Sequence, residues 1–249
     1  MTSAAASGYR RAMVTARTSE SDPIRVGWIV GREGVPGGGS GAVGLTFAPG
    51  KRGASELGEP WERDLVSDLR ALVAQGASML VSLVEDHELS ALQIPGLVSV
   101  ARTHRLVVER FPIEDGGTPP DLAGVRGLVD LVLDHVYADG TVIIHCRGGL
   151  GRAGTIGGCV LVALGHGLEE TFAILQRARG PSCPENEAQR AFIRAFADHL
   201  RRRPRPAARS GTEGLDARDP RSRFLGATLG AAIGDAMGHP TEFIRSLDE

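Results

Sequence analysis

Lysine is almost missing from this chain: Lys51 stands alone against 27 arginines. The 28 basic residues face 30 acidic ones, a formal charge of -2, so the positive surplus that marks nucleic-acid binders is absent. The skew toward arginine reads as the coding bias of a GC-rich bacterial genome rather than as a binding surface. Cysteine is scarce as well. Cys146, Cys159 and Cys183 form an odd set without metal-ligand spacing, which argues against a disulfide scaffold or a zinc site and suits a reducing, cytoplasmic location. No apolar run reaches the roughly 18 residues of a membrane-spanning helix. Neither nucleic acid nor a membrane is therefore expected as a partner.

What is present is enough for one good core: 249 residues, of which 42% are hydrophobic. Residues 1–22 are rich in Ala, Ser and Arg and read as a disordered tail. Short strands are expected at 24–30 and 41–50, around the Gly/Pro turn at 31–40. Trp61, Leu65, Leu69, Leu72 and Val73 recur at helical spacing and stop at Gly76. The continuous apolar run 78–84 is the pattern of a strand covered on both faces. A short acidic helical turn, "EDHELSAL", follows, and 105–113 reads as the next strand. Leu122, Val125, Val129, Val132 and Val136 mark a helix over 121–136, with Asp121 as its N-cap. "TVIIH" (141–145) is a buried strand, and three helices follow, the last two at 168–179 and 185–202. The predicted fold class is α/β, three layers with a mostly parallel central sheet flanked by helices, over residues 23–202. Residues 203–220 read as a linker, and 221–249 as an isolated helical segment.

Strand 105–113, helix 121–136 and strand 141–145 form one crossover, so both strands are expected to end at the same sheet edge. Ligands of open α/β sheets bind at that carboxyl edge. Asp115 lies just past the first strand and Cys146 just past the second. After Cys146 comes "RGGLGRAGT", a glycine-rich loop opening a helix, which presents backbone N–H groups and the helix dipole to an anion. Arg152 adds a planar fork suited to two phosphate oxygens. The same positive field favours the thiolate of Cys146. The expectation is a loop that wraps an oxyanion around a nucleophile.

His145, Cys146, five residues and Arg152 form the HCX5R signature, and residues 24–200 resemble the cysteine-based dual-specificity phosphatases, in the branch similar to the cyclin-dependent kinase inhibitor 3 group. "GLTFAPGK" (44–51), "VSLVEDHEL" (81–89), "FPIEDGGTPPD" (111–121) and "HCRGGLGRAGT" (145–155) stand where that branch has its counterparts. The resemblance implies that Cys146 attacks phosphorus and carries a phosphocysteine. It implies that Arg147, Gly148, Gly149, Leu150, Gly151 and Arg152 bind the phosphate, that Asp115 is general acid and then base, and that His145 fixes the loop. Gln189 stands where some relatives position the hydrolytic water. No metal or cofactor is implied, and the expected partner is a phosphorylated protein or peptide. The family usually has Ser or Thr after the signature arginine, a hydroxyl donor to the sulfur; here Ala153 stands, with Thr155 as the nearest candidate donor.

Plainer readings compete. Cys146 is otherwise an inert buried thiol, and Asp115 a turn residue in "EDGGTPPD". Glu114, His87 and His104 read as surface groups and Cys159 as core. A phosphate-binding pseudophosphatase and a phosphatase for a non-protein substrate are the alternative functions. Finally, "RSRFLGATLGAAIGDAMGHPTEF" (221–243), with Asp235 and Glu242, resembles the opening helix of the ADP-ribosylglycohydrolases. On that resemblance the chain is expected to carry the truncated beginning of such a domain, with the phosphatase as its accessory in a further reading.

Overall fold

A computed structural model of the chain describes residues 16–31, 40–55 and 58–202. In chain order, β1 (Gly27–Val30) and β2 (Ala42–Thr46) precede a hairpin of β3 (Arg52–Ser55) and β4 (Gly58–Glu62). Then come α1 (Leu65–Ala74), β5 (Met79–Ser82), α2 (Asp86–Ala91), α3 (Leu97–Thr103) and β6 (Val107–Arg110). The described chain ends with α4 (Leu122–Tyr137), β7 (Thr141–His145), α5 (Gly151–Ala163), α6 (Leu168–Arg179) and α7 (Glu187–Arg202). Five strands make the central sheet in the order β1-β2-β7-β5-β6. All its pairs are parallel except β1 with β2.

Successive side chains of a strand face opposite sides of the sheet, and the two central strands supply both cores in this way. Val142 and Ile144 of β7 and Met79 and Val81 of β5 join one core with α4 to α7. Ile143 and Leu80 turn to the other, with Leu69 and Leu72 of α1, Leu89 of α2 and Leu97 of α3. That double burial is why β7 is apolar without alternation. The three crossovers deliver the carboxyl ends of β5, β6 and β7 to one edge. There the backbone knits them: Leu83 N–H donates to His145 O (3.0 Å) and Ile113 N–H to Leu83 O (3.0 Å). The expected α/β arrangement, a mostly parallel sheet between helical layers, is the one observed.

Several local expectations differ. The helix foreseen from Trp61 begins at Leu65, because Asp64 caps it by accepting from Ser67 N–H (2.7 Å). Trp61 lies instead in β4, opposite Gly53, in a hairpin that helical spacing disguised. Helix α3 was not foreseen. Within the tail expected over 1–22, Arg17 pairs with β4: its N–H donates to Pro60 O (2.8 Å), and Glu62 N–H donates to Arg17 O (3.1 Å). The exposed edge of β4 needs backbone partners, and this segment supplies them. Asp121 caps α4, accepting from Gly124 N–H (2.7 Å). Residues 1–15, the linker and the glycine-striped segment with Asp235 and Glu242 lie outside the described residues. Among the described residues no helix is long and apolar enough to cross a membrane.

Candidate active site

Cys146 follows β7 directly and is 3% exposed, at the floor of a cleft of about 400 Å³. The loop it opens is held from outside by its carbonyls. Arg147 O accepts from Ala48 N–H (3.3 Å) and from Lys51 Nζ (3.5 Å). Arg179, at the end of α6, donates to Gly148 O (3.1 Å) and Gly149 O (2.9 Å). Leu150 O accepts from Cys183 Sγ (3.3 Å) and from Gly154 N–H of α5 (3.0 Å). A trans peptide is planar, so a carbonyl drawn outward sends the next N–H inward. Gly149 N–H does this and donates to Cys146 Sγ at 3.1 Å. Gly149 has a φ of +77°, and a Cβ there would lie 2.5 Å from the Thr46 carbonyl carbon, so only glycine fits.

His145, just before the loop, is fully buried, and its Nδ1 donates to Cys146 O (3.3 Å). A carbonyl can only accept, so the proton sits on Nδ1. Burial pushes this imidazole down to about 4; the Cys146 carbonyl pulls upward, while the charges of Arg152 and Arg110 lower it further. It is therefore neutral at pH 7 and acts on the loop by hydrogen bonding, not by charge.

Arg152 lies in the first turn of α5 and is 2% exposed. Its Nη1 donates to Glu88 Oε2 (2.5 Å) and Ile113 O (2.9 Å), and its Nη2 to Glu88 Oε1 (2.8 Å) and Asp115 Oδ1 (2.6 Å). Burial alone would lower the guanidinium's pKa, but Glu88, the charge of Cys146 and Asp115 together raise it. Burial likewise pushes the Glu88 carboxyl up, and the Arg152 hydrogen bond, the Glu85 amide and Arg152's charge outweigh it and hold it below its ordinary value. Sequence reasoning passed over Glu88. A signal existed: Glu85 and Glu88 have capping-box spacing just beyond β5, and Glu88 Oε2 accepts from Glu85 N–H (2.9 Å). One carboxylate thus starts α2 and orients Arg152.

Asp115 is half exposed and faces Arg147 (Nη1 to Oδ2, 3.8 Å) as well as Arg152. It also occupies a turn closed by Gly117 N–H to Glu114 O (2.9 Å), so its turn geometry and its place at the site coexist. Helix α7 and the residue before it hold that turn. Asn186 Nδ2 donates to Gly116 O (2.9 Å), and Gln189 Nε2 to Gly117 O (3.1 Å). Gln189 is buried against Gly151, and its Oε1 accepts from Glu185 N–H (3.1 Å), which ties three segments together. Thr155 requires a correction. Its hydroxyl donates to Gly151 O (2.9 Å) inside α5, so its single proton is committed and does not serve the sulfur. Ala153 is fully buried and brings no donor. Burial raises the thiol of Cys159 far up and that of Cys183 up to about 12, so both stay protonated.

The arrangement can hold a tetrahedral oxyanion over a sulfur nucleophile, between inward amides and an anchored guanidinium, with a carboxylic acid at the rim. Comparison with known proteins gives this class a name. Residues 55–166 match the family model Tc-R-P, described as "Polymorphic toxin system, DSP-PTPase phosphatase". The chain is similar to cyclin-dependent kinase inhibitor 3 of Rattus norvegicus, 26% identical over 184 residues, which are 73% of this chain and 82% of that protein. Among solved structures it resembles kinase associated phosphatase with its catalytic-site cysteine substituted by serine, at 25% identity and a TM-score of 0.63. That match covers 72% of this chain and 97% of the other. Tk-PTP in its active form is also 25% identical, with a TM-score of 0.52, over 70% of this chain and 96% of the other. The described domain is thus similar to phosphatases of the dual-specificity, DSP-PTPase type.

Proposed function

We propose that this domain hydrolyses phosphomonoesters of phosphorylated proteins through a phosphocysteine on Cys146, with phosphotyrosine and phosphoserine/threonine as the substrate classes. The thiolate attacks phosphorus in line, the P–S bond forms and the P–O ester bond breaks. Asp115 gives its proton to the departing oxygen. A water then attacks the phosphocysteine, Asp115 takes the water's proton, and the P–S bond breaks to return the thiolate and release phosphate. Arg152 and the inward loop amides hold the equatorial oxygens, where charge collects in both transition states. His145 keeps the loop in register as a neutral donor, and Gln189 keeps the Asp115 turn over the loop.

The observation that carries this reading is the convergence on Arg152. One guanidinium, locked on its far side by Glu88, reaches Asp115 on its near side, beside a loop whose amide already donates to Cys146 Sγ. Kinase associated phosphatase, named above, is described as having a catalytic-site cysteine, which supports a catalytic role for Cys146 here. The test is turnover of phenyl phosphate by wild type and by Cys146→Ser, with vanadate binding measured on both. The variant is expected to bind vanadate and to lose at least a hundredfold in rate, since nucleophile loss costs several orders of magnitude. Residual activity of the variant near the wild-type level would exclude the covalent route and leave a phosphate-binding protein as the better reading.

A further inference from the structure

Lys51 is the single lysine of the chain and is 7% exposed. It ends the loop after β2, which is tied down where Gly50 N–H donates to Asp68 Oδ2 (2.8 Å), a carboxylate that also grips the buried Arg63. The Lys51 ammonium lies 4.0 Å from the centre of the Trp61 ring and 4.6 Å from that of Phe47. Among the described residues its one hydrogen-bond acceptor is Arg147 O, at a long 3.5 Å. It forms no ion pair among them, whereas two other cations of the cleft do: Arg17 with Glu59 (3.9 Å) and Arg147 with Asp115 (3.8 Å); the remaining one, Arg52, is exposed to solvent and donates to Arg63 O (3.0 Å).

An ammonium carries three donors, and burying one without a counter-charge is costly. Two ring faces offset part of that cost. The remaining donor capacity opens on the cleft, which Lys51 lines together with Cys146 and Arg147. The ammonium meets the loop from the side away from the inward amides. Lys51 sits on the carbonyl side of the Arg147 peptide, and the planar peptide sends the following N–H the opposite way. A ligand that satisfies Lys51 therefore carries negative charge a short way from the phosphate being cleaved. One buried, unmatched cation calls for one added negative charge. A carboxylate fits that count, and a polyphosphorylated headgroup does not.

We propose that Lys51 receives a second anionic group of the substrate, so that the cleft selects phosphopeptides with an acidic side chain beside the phosphorylated residue. This rests on the phosphatase reading above. The test measures kcat/KM for two phosphotyrosine peptides that differ by Glu or Gln at the flanking position, with phenyl phosphate as a reference. Wild type at pH 6.5 is expected to prefer the acidic peptide by about tenfold, the value of one hydrogen bond between charged groups. In Lys51→Met the ratio of the two peptides should fall to about one, whatever the variant does to the common rate.

A second readout needs no variant. Burial holds the Lys51 amine down at about 8, with Arg63, Arg147 and Arg179 lowering it further and Cys146 raising it. The ammonium is present below that value and lost above it, so the preference should collapse between pH 7 and pH 9. Titration of the nucleophile or the acid changes both peptides alike and cancels in the ratio. Equal rates on the two peptides in an active enzyme overturn the proposal. So do a preference that survives Lys51→Met, one that is flat across that pH range, and turnover of phenyl phosphate with neither peptide cleaved. No turnover of phenyl phosphate at all sinks the phosphatase reading itself, and this one with it.

Discussion

Replacing Glu88 by Gln keeps the shape of the side chain and removes its charge. The two hydrogen bonds it makes to Arg152, at 2.5 and 2.8 Å, join side chains that are 4% and 1% exposed, so solvent screens neither. An amide can accept one of those N–H groups, but its own NH2 meets the other as donor against donor. Removing one partner of a buried pair costs about 3–5 kcal/mol. The low end applies here, because Asp115 Oδ1 and Ile113 O still partner the guanidinium. For a domain of this size, about 3 kcal/mol lowers Tm by about 6–12 °C. Thermal unfolding followed by circular dichroism measures it. Inorganic phosphate should recover part of the loss, since an oxyanion on the loop returns a counter-charge to Arg152. The effect depends on pH in a defined direction. Glu88 is held below its ordinary carboxyl value when folded, so the stability it contributes is complete above its unfolded pKa of about 4.3 and is lost as pH falls through the folded value. The gap between wild type and Glu88→Gln should therefore be full at pH 7 and close in acid. A Tm within about 2 °C of wild type at pH 7 would refute the claim that Glu88 anchors the arginine.

Asp115→Asn should slow phenyl phosphate hydrolysis by about a hundredfold, the share of general acid catalysis, while esters with good leaving groups lose much less. Equal losses across leaving groups would show that Asp115 serves only its turn. Ala153→Ser should raise kcat by about tenfold by giving the departing sulfur a hydroxyl donor, with the gain in phosphocysteine breakdown, as read by burst kinetics. Thr155→Val, whose lost proton serves only Gly151 O, should leave kcat within about twofold; a larger loss would return Thr155 to the sulfur.

The glycine-rich loop, its cysteine and its arginine were legible in the sequence because they are contiguous. One strand end and one helix start suffice to build an amide cradle, and the chain writes both within eleven residues. The central strands were legible for a similar reason, since double burial leaves an unbroken apolar run such as "TVIIH". Asp115 was within reach because a crossover links its strand to that of Cys146 and handedness sends both to one edge. What supports this loop was not legible. Glu88, Lys51 and Arg179 belong to three other segments, and each meets the loop only after the sheet has set their strands side by side. Helical spacing placed Trp61 in α1, whereas strand pairing with Gly53 turned it over Lys51. Thr155, the nearest candidate donor by sequence, is bonded to its own helix, because a buried hydroxyl takes the nearest carbonyl. Local sequence thus determined the candidate nucleophile and its cradle. Tertiary packing decided which charges stand behind them, because the energy of a buried charge depends on neighbours that no short stretch of chain contains.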